Sequence, residues 1–132
     1  MTEEDRGGRL DGVRVLIVDD DRDILESFEY ALEAEGAETF TASDGNTAIL
    51  RCEEHRPDVV VLDMMLPGRS GFLALEKIKG HADSPSVIMV TANEGRRHQA
   101  YAESLGVDAY LLKPVPLGRL VETVARLADE QD

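Results

Sequence analysis

The chain has 132 residues, 42% of them hydrophobic, which is enough for one domain around one core and too much for a disordered segment. Its 27 acidic residues against 14 basic ones give a net charge of −13, which argues against binding nucleic acid or an anionic membrane, both of which need a basic face. A divalent cation or a basic partner surface remains compatible with that charge, and the single cysteine, Cys52, excludes an internal disulfide and a multi-thiolate zinc site and suits a reducing, cytoplasmic setting.

The first twelve residues, MTEEDRGGRLDG, are acidic and glycine-rich, lack the apolar stretch of a secretory signal, and read as a flexible lead-in. VRVLIV (13–18) then reads as a first strand, continuously apolar as in a sheet covered on both faces. Asp21 opens a first helix, where its charge suits the positive end of the dipole. Leu25, Phe28 and Leu32 give that helix its apolar stripe and Gly36 stops it. AETFTA (37–42) is a weaker strand, expected at an edge, and Ser43 and Asp44 are capping candidates for a helix over 44–54. DVVVLD (58–63) is a third strand. Phe72, Leu75 and Ile78 mark a third helix that ends at Gly80, and SVIMV (86–90) is a fourth strand. A polar fourth helix over 94–104 is opened by Asn93 and closed near Gly106. DAYLL (108–112) is the fifth strand, and Leu117, Leu120, Val121, Val124 and Leu127 form the clearest helical stripe. No apolar run reaches the ~20 residues of a membrane span. The pattern divides the chain into the lead-in (1–12), one folded domain (13–129) and a short tail (130–132).

Five strands alternating with five helices imply an α/β fold: a doubly wound parallel sheet with right-handed crossovers and helices on both faces. Such sheets place their functional crevice at the carboxyl ends of the strands. There the sequence puts Asp19, Asp20 and Asp21 after the first strand, Asp63 at the end of the third, Thr91 past the fourth, and Lys113 with Pro114 past the fifth. Singly, an aspartate after a strand is commonly a turn former or a helix cap. Jointly, the set has a specific chemistry. Clustered carboxylates are stable around a hard cation such as Mg²⁺, which also pairs with phosphate oxygens. An aspartate can act as a nucleophile toward phosphorus, while a lysine and a hydroxyl donor bind the oxygens of the transferred group.

With VLIVDDD, VVVLDMMLPGRSG, VIMVTA and AYLLKPV in this order and separation, the chain closely resembles the receiver domain of bacterial two-component response regulators over about residues 13–129. The resemblance implies a flavodoxin-like (βα)5 sheet of order 2-1-3-4-5 and a set of roles. Asp63 is the phosphoacceptor. Asp19 and Asp20 are the acidic pair, which with Asp63 and the Met65 carbonyl holds Mg²⁺. Lys113 and Thr91 contact the phosphoryl group, and Thr91, Ala92 and Tyr110 form the switch. The Lys113–Pro114 peptide is cis. The implied partners are a sensor histidine kinase or a histidine phosphotransfer protein and a downstream protein target, with no nucleic acid or membrane bound directly. The residues two past Asp63 and two past Thr91, Met65 and Asn93, are implied to set how fast the phosphate is lost, and a methionine implies slow loss. The domain so implied is a signalling module rather than a conventional enzyme.

Four other readings fit less well. A flavodoxin-like cofactor binder needs a Ser/Thr/Gly loop after the first strand, where this chain has DDDRD. A haloacid-dehalogenase-like phosphatase wants a second aspartate where Met65 stands, and no GxxxxGK[ST] loop exists for a nucleotide switch. A pseudo-receiver that only binds partners is opposed by the complete set Asp19, Asp20, Asp63, Thr91 and Lys113. His55, His81 and His98, scattered among polar residues, read as surface histidines.

Overall fold

Continuously apolar five-residue runs cannot leave one face in water, and the chain buries both faces of its sheet. The computed structural model describes residues 8–67, 70–92 and 95–131. Ten elements alternate: β1 (Arg14–Val18), α1 (Arg22–Ala34), β2 (Glu38–Ala42), α2 (Gly45–His55), β3 (Val59–Asp63), α3 (Gly71–Lys79), β4 (Ser86–Thr91), α4 (Arg96–Ser104), β5 (Ala109–Leu112) and α5 (Leu117–Glu130). Every strand pair is parallel, and the order is β2-β1-β3-β4-β5, as expected. Val15 and Ile17 of β1 and Val59 and Val61 of β3 point into one core with Phe28 and Leu32 of α1 and Leu120 and Val124 of α5. The alternate residues, Leu16, Val18, Val60 and Leu62, point into a second core with Ala48, Ala74, Leu75, Ile78 and Ala102 from α2, α3 and α4. The weaker run of β2 is the half-buried edge strand that its composition suggests.

Local chemistry sets the element ends. Asp21 accepts from the N–H groups of Asp23 and Ile24, which makes it the N-cap of α1, and Asp44 accepts from the Thr47 N–H at the start of α2. Two further aspartates tie strand starts together at the amino-terminal end of the sheet. Asp58 accepts from the Arg14 N–H at 2.9 Å, and Asp108 accepts from the Val87 N–H at 2.8 Å and from Lys79 Nζ at 3.0 Å. The fourth helix is shorter than expected. It begins at Arg96 with Gly95 at its N-cap, and Asn93, expected to open it, lies outside the described residues, as do residues 1–7 and Asp132.

Residues 8–12, expected within a flexible lead-in over 1–12, are ordered. Leu10 is fully buried in the core beside α1, and its N–H donates to the Glu35 carbonyl at 2.8 Å. Gly8, at φ +103°, sits so close that an added Cβ would fall 2.1 Å from the same carbonyl oxygen. The glycines and charges of that segment hid an ordered anchor, because a single leucine leaves no periodicity to read. Leu10→Ala is expected to cost about 2–4 kcal/mol, the cavity-forming range for a buried leucine, which a urea unfolding curve would show as a lower midpoint at unchanged slope. A loss below about 0.5 kcal/mol, typical of surface positions, would make the segment dispensable.

Candidate functional site

β1, β3, β4 and β5 all run the same way, so residues far apart in sequence meet at their carboxyl ends. Asp19 directly follows β1, its N–H donating to the Ala42 carbonyl at 3.1 Å. Asp63 is the last residue of β3, opposite Val90 in the register, and Thr91 closes β4 rather than following it. Lys113 follows β5, its N–H donating to the Thr91 carbonyl at 2.8 Å, and the Lys113–Pro114 peptide is cis.

Carboxylate oxygens of Asp19, Asp20 and Asp63 lie within 4.8 Å of one another. Asp19 and Asp63 are only 2% and 5% exposed, whereas Asp20 faces solvent. Lys113 reaches both buried members: Nζ donates to Asp19 Oδ2 at 3.0 Å and stands 3.6 Å from Asp63 Oδ1. Backbone donors complete the frame, from the Asp21 N–H to Asp19 Oδ1 at 2.9 Å and from the Met65 N–H to Asp63 Oδ1 at 3.3 Å. Burial, then the charge of Asp19, push the Asp63 carboxyl above its ordinary value, although Lys113 and the Met65 N–H pull the other way. Burial pulls the Lys113 ammonium down, but its hydrogen bond to Asp19 and the charges of Asp63 and Asp19 outweigh that and leave it above the usual lysine value.

Among the described residues, one cation stands against three carboxylates, which leaves them short of positive charge. A hard divalent cation fits this donor set: all oxygen, compact, open to water at Asp20 and lacking soft ligands. The remaining expected residues sit around it. Thr91 is fully buried, Ala92 is exposed and Tyr110 is half-buried, its phenol pushed up by that burial. The Met65 side chain is 69% exposed. Asp21 stays outside the cluster as a cap, and Cys52 packs against the second core, where burial pushes its thiol up to about 12.

One supporting residue escaped the sequence reading. Gly71 donates its N–H to the Met64 carbonyl at 2.9 Å, and a Cβ there would fall 2.5 Å from the Asp63 carbonyl oxygen and 2.6 Å from Met64 Cα. Only glycine lets the start of α3 approach the backbone that carries Asp63 so closely. The glycine of the GRSG stretch was visible, but its neighbour across the loop was not.

Residues 15–125 match the family model for the response regulator receiver domain. The chain belongs to that family. Solved receiver domains superpose on it closely. The CheY-like receiver domain protein from Methanospirillum hungatei JF-1 is 34% identical, with a TM-score of 0.86 over 90% of this chain and 95% of that one. The receiver domain of Francisella response regulator 1452 is 27% identical, with a TM-score of 0.87 over 92% of this chain and 100% of that one. The chemotaxis response regulator CheY4 of Vibrio cholerae is 26% identical, with a TM-score of 0.81 over 87% and 98%. This receiver domain therefore has the flavodoxin-like fold and the acidic pocket of a two-component signalling module. No helix among its described residues is long and apolar enough to cross a membrane.

Proposed function

We propose that this receiver domain takes a phosphoryl group from a phosphohistidine onto Asp63 and changes its α4-β5-α5 surface in response. The observation that carries this reading is the buried Asp63 carboxylate, held between Asp19, Asp20 and Lys113. Asp19, Asp20, Asp63 and the Met65 carbonyl would hold Mg²⁺, which when bound supplies positive charge to the transferred oxygens. The Met65 N–H holds one Asp63 oxygen, Oδ1, and Asp63 attacks phosphorus in line as the P–N bond to the donor imidazole breaks, which leaves the histidine free and an acyl phosphate on Asp63. Lys113 moves from the aspartates to the incoming oxygens and Thr91 donates its hydroxyl to another. The product adds roughly −1.5 to −2 charge, which biases the arrangement of Thr91, Ala92 and Tyr110. The phosphoryl source is a sensor histidine kinase or histidine phosphotransfer protein in the cytoplasm, and the output is a protein target rather than a released product.

The test is intact mass after incubation with phosphoramidate. A single phosphoryl increment that disappears with chelator is expected. Unmodified mass, together with no Mg²⁺ binding in a titration of folded protein, would leave the domain a pseudo-receiver acting only as an interaction module.

The raised Asp63 pKa also fixes a pH dependence. Protons and the cation compete for the same oxygens, so Mg²⁺ affinity should fall as pH drops, beginning above the ordinary carboxylate range. Titration calorimetry at stepped pH checks this. A Kd that stays constant down to about pH 4, near the free carboxyl values, would contradict it.

A further inference from the structure

The helix α4 is thinly held. Ala102 is the only residue in it that is buried; the rest of the helix is polar or exposed, and its Gly95 N-cap brings no side-chain hydrogen bond. Its attachment to α3 is a cluster of three rings. His98 lies parallel to Phe72 with centroids 6.1 Å apart and 2° between planes, and Tyr101 meets the same Phe72 edge-on at 4.9 Å and 74°. Within this cluster the Nδ1 atom of His98 is buried with no hydrogen-bond partner among the described residues. Of the histidines expected at the surface, His81 is exposed while His98 is half-buried, with its Nδ1 turned inward.

A buried polar nitrogen without a partner opposes the closed arrangement, because it regains a hydrogen bond to water when the helix moves away. The ring contacts favour closure by a comparable amount. The two effects oppose one another, so α4 is held less firmly than its ring contacts alone would hold it, which favours local opening before the domain unfolds.

We infer that Phe72, His98 and Tyr101 form a latch holding α4 against α3, and that the unpaired His98 nitrogen sets how readily it opens. Phe72 directly follows Gly71, whose backbone rests on Asp63 and Met64, so the fixed side of the latch is anchored beside the acidic pocket. The latch itself requires nothing of the phosphorylation chemistry. Its consequence for signalling rests on the receiver function proposed above: the fraction of molecules with α4 released determines how much of the α4-β5-α5 face a partner meets before any phosphoryl group arrives.

Amide hydrogen exchange on the unphosphorylated full chain tests the latch independently of that chemistry. His98→Leu puts an apolar side chain against Phe72 and removes the orphan nitrogen, and it should slow exchange across Gln99–Ser104 by about fivefold, the equivalent of a buried unsatisfied group at its lower limit. Phe72→Leu removes the ring platform and should speed the same amides by a few-fold to tenfold. Amides of β1 and β3 serve as the internal standard for global opening. Slower exchange in His98→Leu and faster exchange in Phe72→Leu, both confined to α4, support the latch. Unchanged α4 exchange in His98→Leu overturns it, as does a change of equal size in the β1 and β3 amides.

Discussion

The Asp63→Asn variant is expected to gain no phosphoryl mass from phosphoramidate and, without metal at pH 7, to be more stable than the wild type. The first effect follows from the nucleophile. An amide has no charged oxygen to attack phosphorus, so the increment should vanish completely rather than diminish. The second follows from the pocket. Asp63 is pushed above its ordinary pKa by burial and by Asp19, so between the unfolded and folded pKa values the folded state holds a proton that the unfolded state releases. Stability from that group is fully present below its unfolded pKa and is lost as pH rises through the folded value. Above the folded pKa the wild type carries the whole penalty, and the asparagine variant carries none at any pH. A gain in stability that grows from acid to neutral pH is expected. Urea unfolding of both proteins at pH 4 and pH 7 reads it out. The two curves should approach one another in acid, and a gap that does not narrow there would separate the variant's stability from carboxylate repulsion.

The second large effect belongs to Lys113. Its ammonium is the cation that meets both buried carboxylates, at 3.0 Å from Asp19 and 3.6 Å from Asp63. Lys113→Met leaves two buried negative charges facing one another. Breaking a buried pair in this way typically costs 3–5 kcal/mol. About 3 kcal/mol is expected here, because the lysine side chain is 21% exposed and water already screens part of the interaction. Two further signs identify the cause. The loss should shrink in acid as Asp63 takes a proton, and Mg²⁺ should stabilise the variant more than the wild type, since no ammonium then competes for the same oxygens. Thermal melts with and without Mg²⁺ at two pH values measure both. Equal Mg²⁺ stabilisation of the two proteins would mean that Lys113 and the cation do not share the pocket.

Both experiments act on residues that stood out in the linear chain. Three aspartates after an apolar strand oppose electrostatic expectation, and so does a buried aspartate ending another. Such local conflicts between charge and burial mark function, which is why the pocket was legible before any coordinates. The strands were legible for a different reason. A parallel sheet covered on both faces demands unbroken apolar runs, and their ends fell within one residue of those observed. Asp21 and Asp44 were readable as caps because capping uses donors only two or three residues away.

What needed the tertiary structure are relations between segments that no local rule connects. Leu10 is a lone apolar residue among glycines and charges, and only its contact with the end of α1 shows that it anchors the fold. Gly71 looked like any loop glycine until the start of α3 was seen resting on Asp63 and Met64. His98 sits in a polar stretch, and the stacking of its half-buried ring on Phe72 depends on how α4 lies across α3. Periodicity, charge and capping act over a few residues, so the sequence by itself determined the order of the elements and the identity of the acidic set. Packing acts across the chain, so only the folded structure decided which cation faces which carboxylate, where the ordered domain begins, and what holds α4 in place.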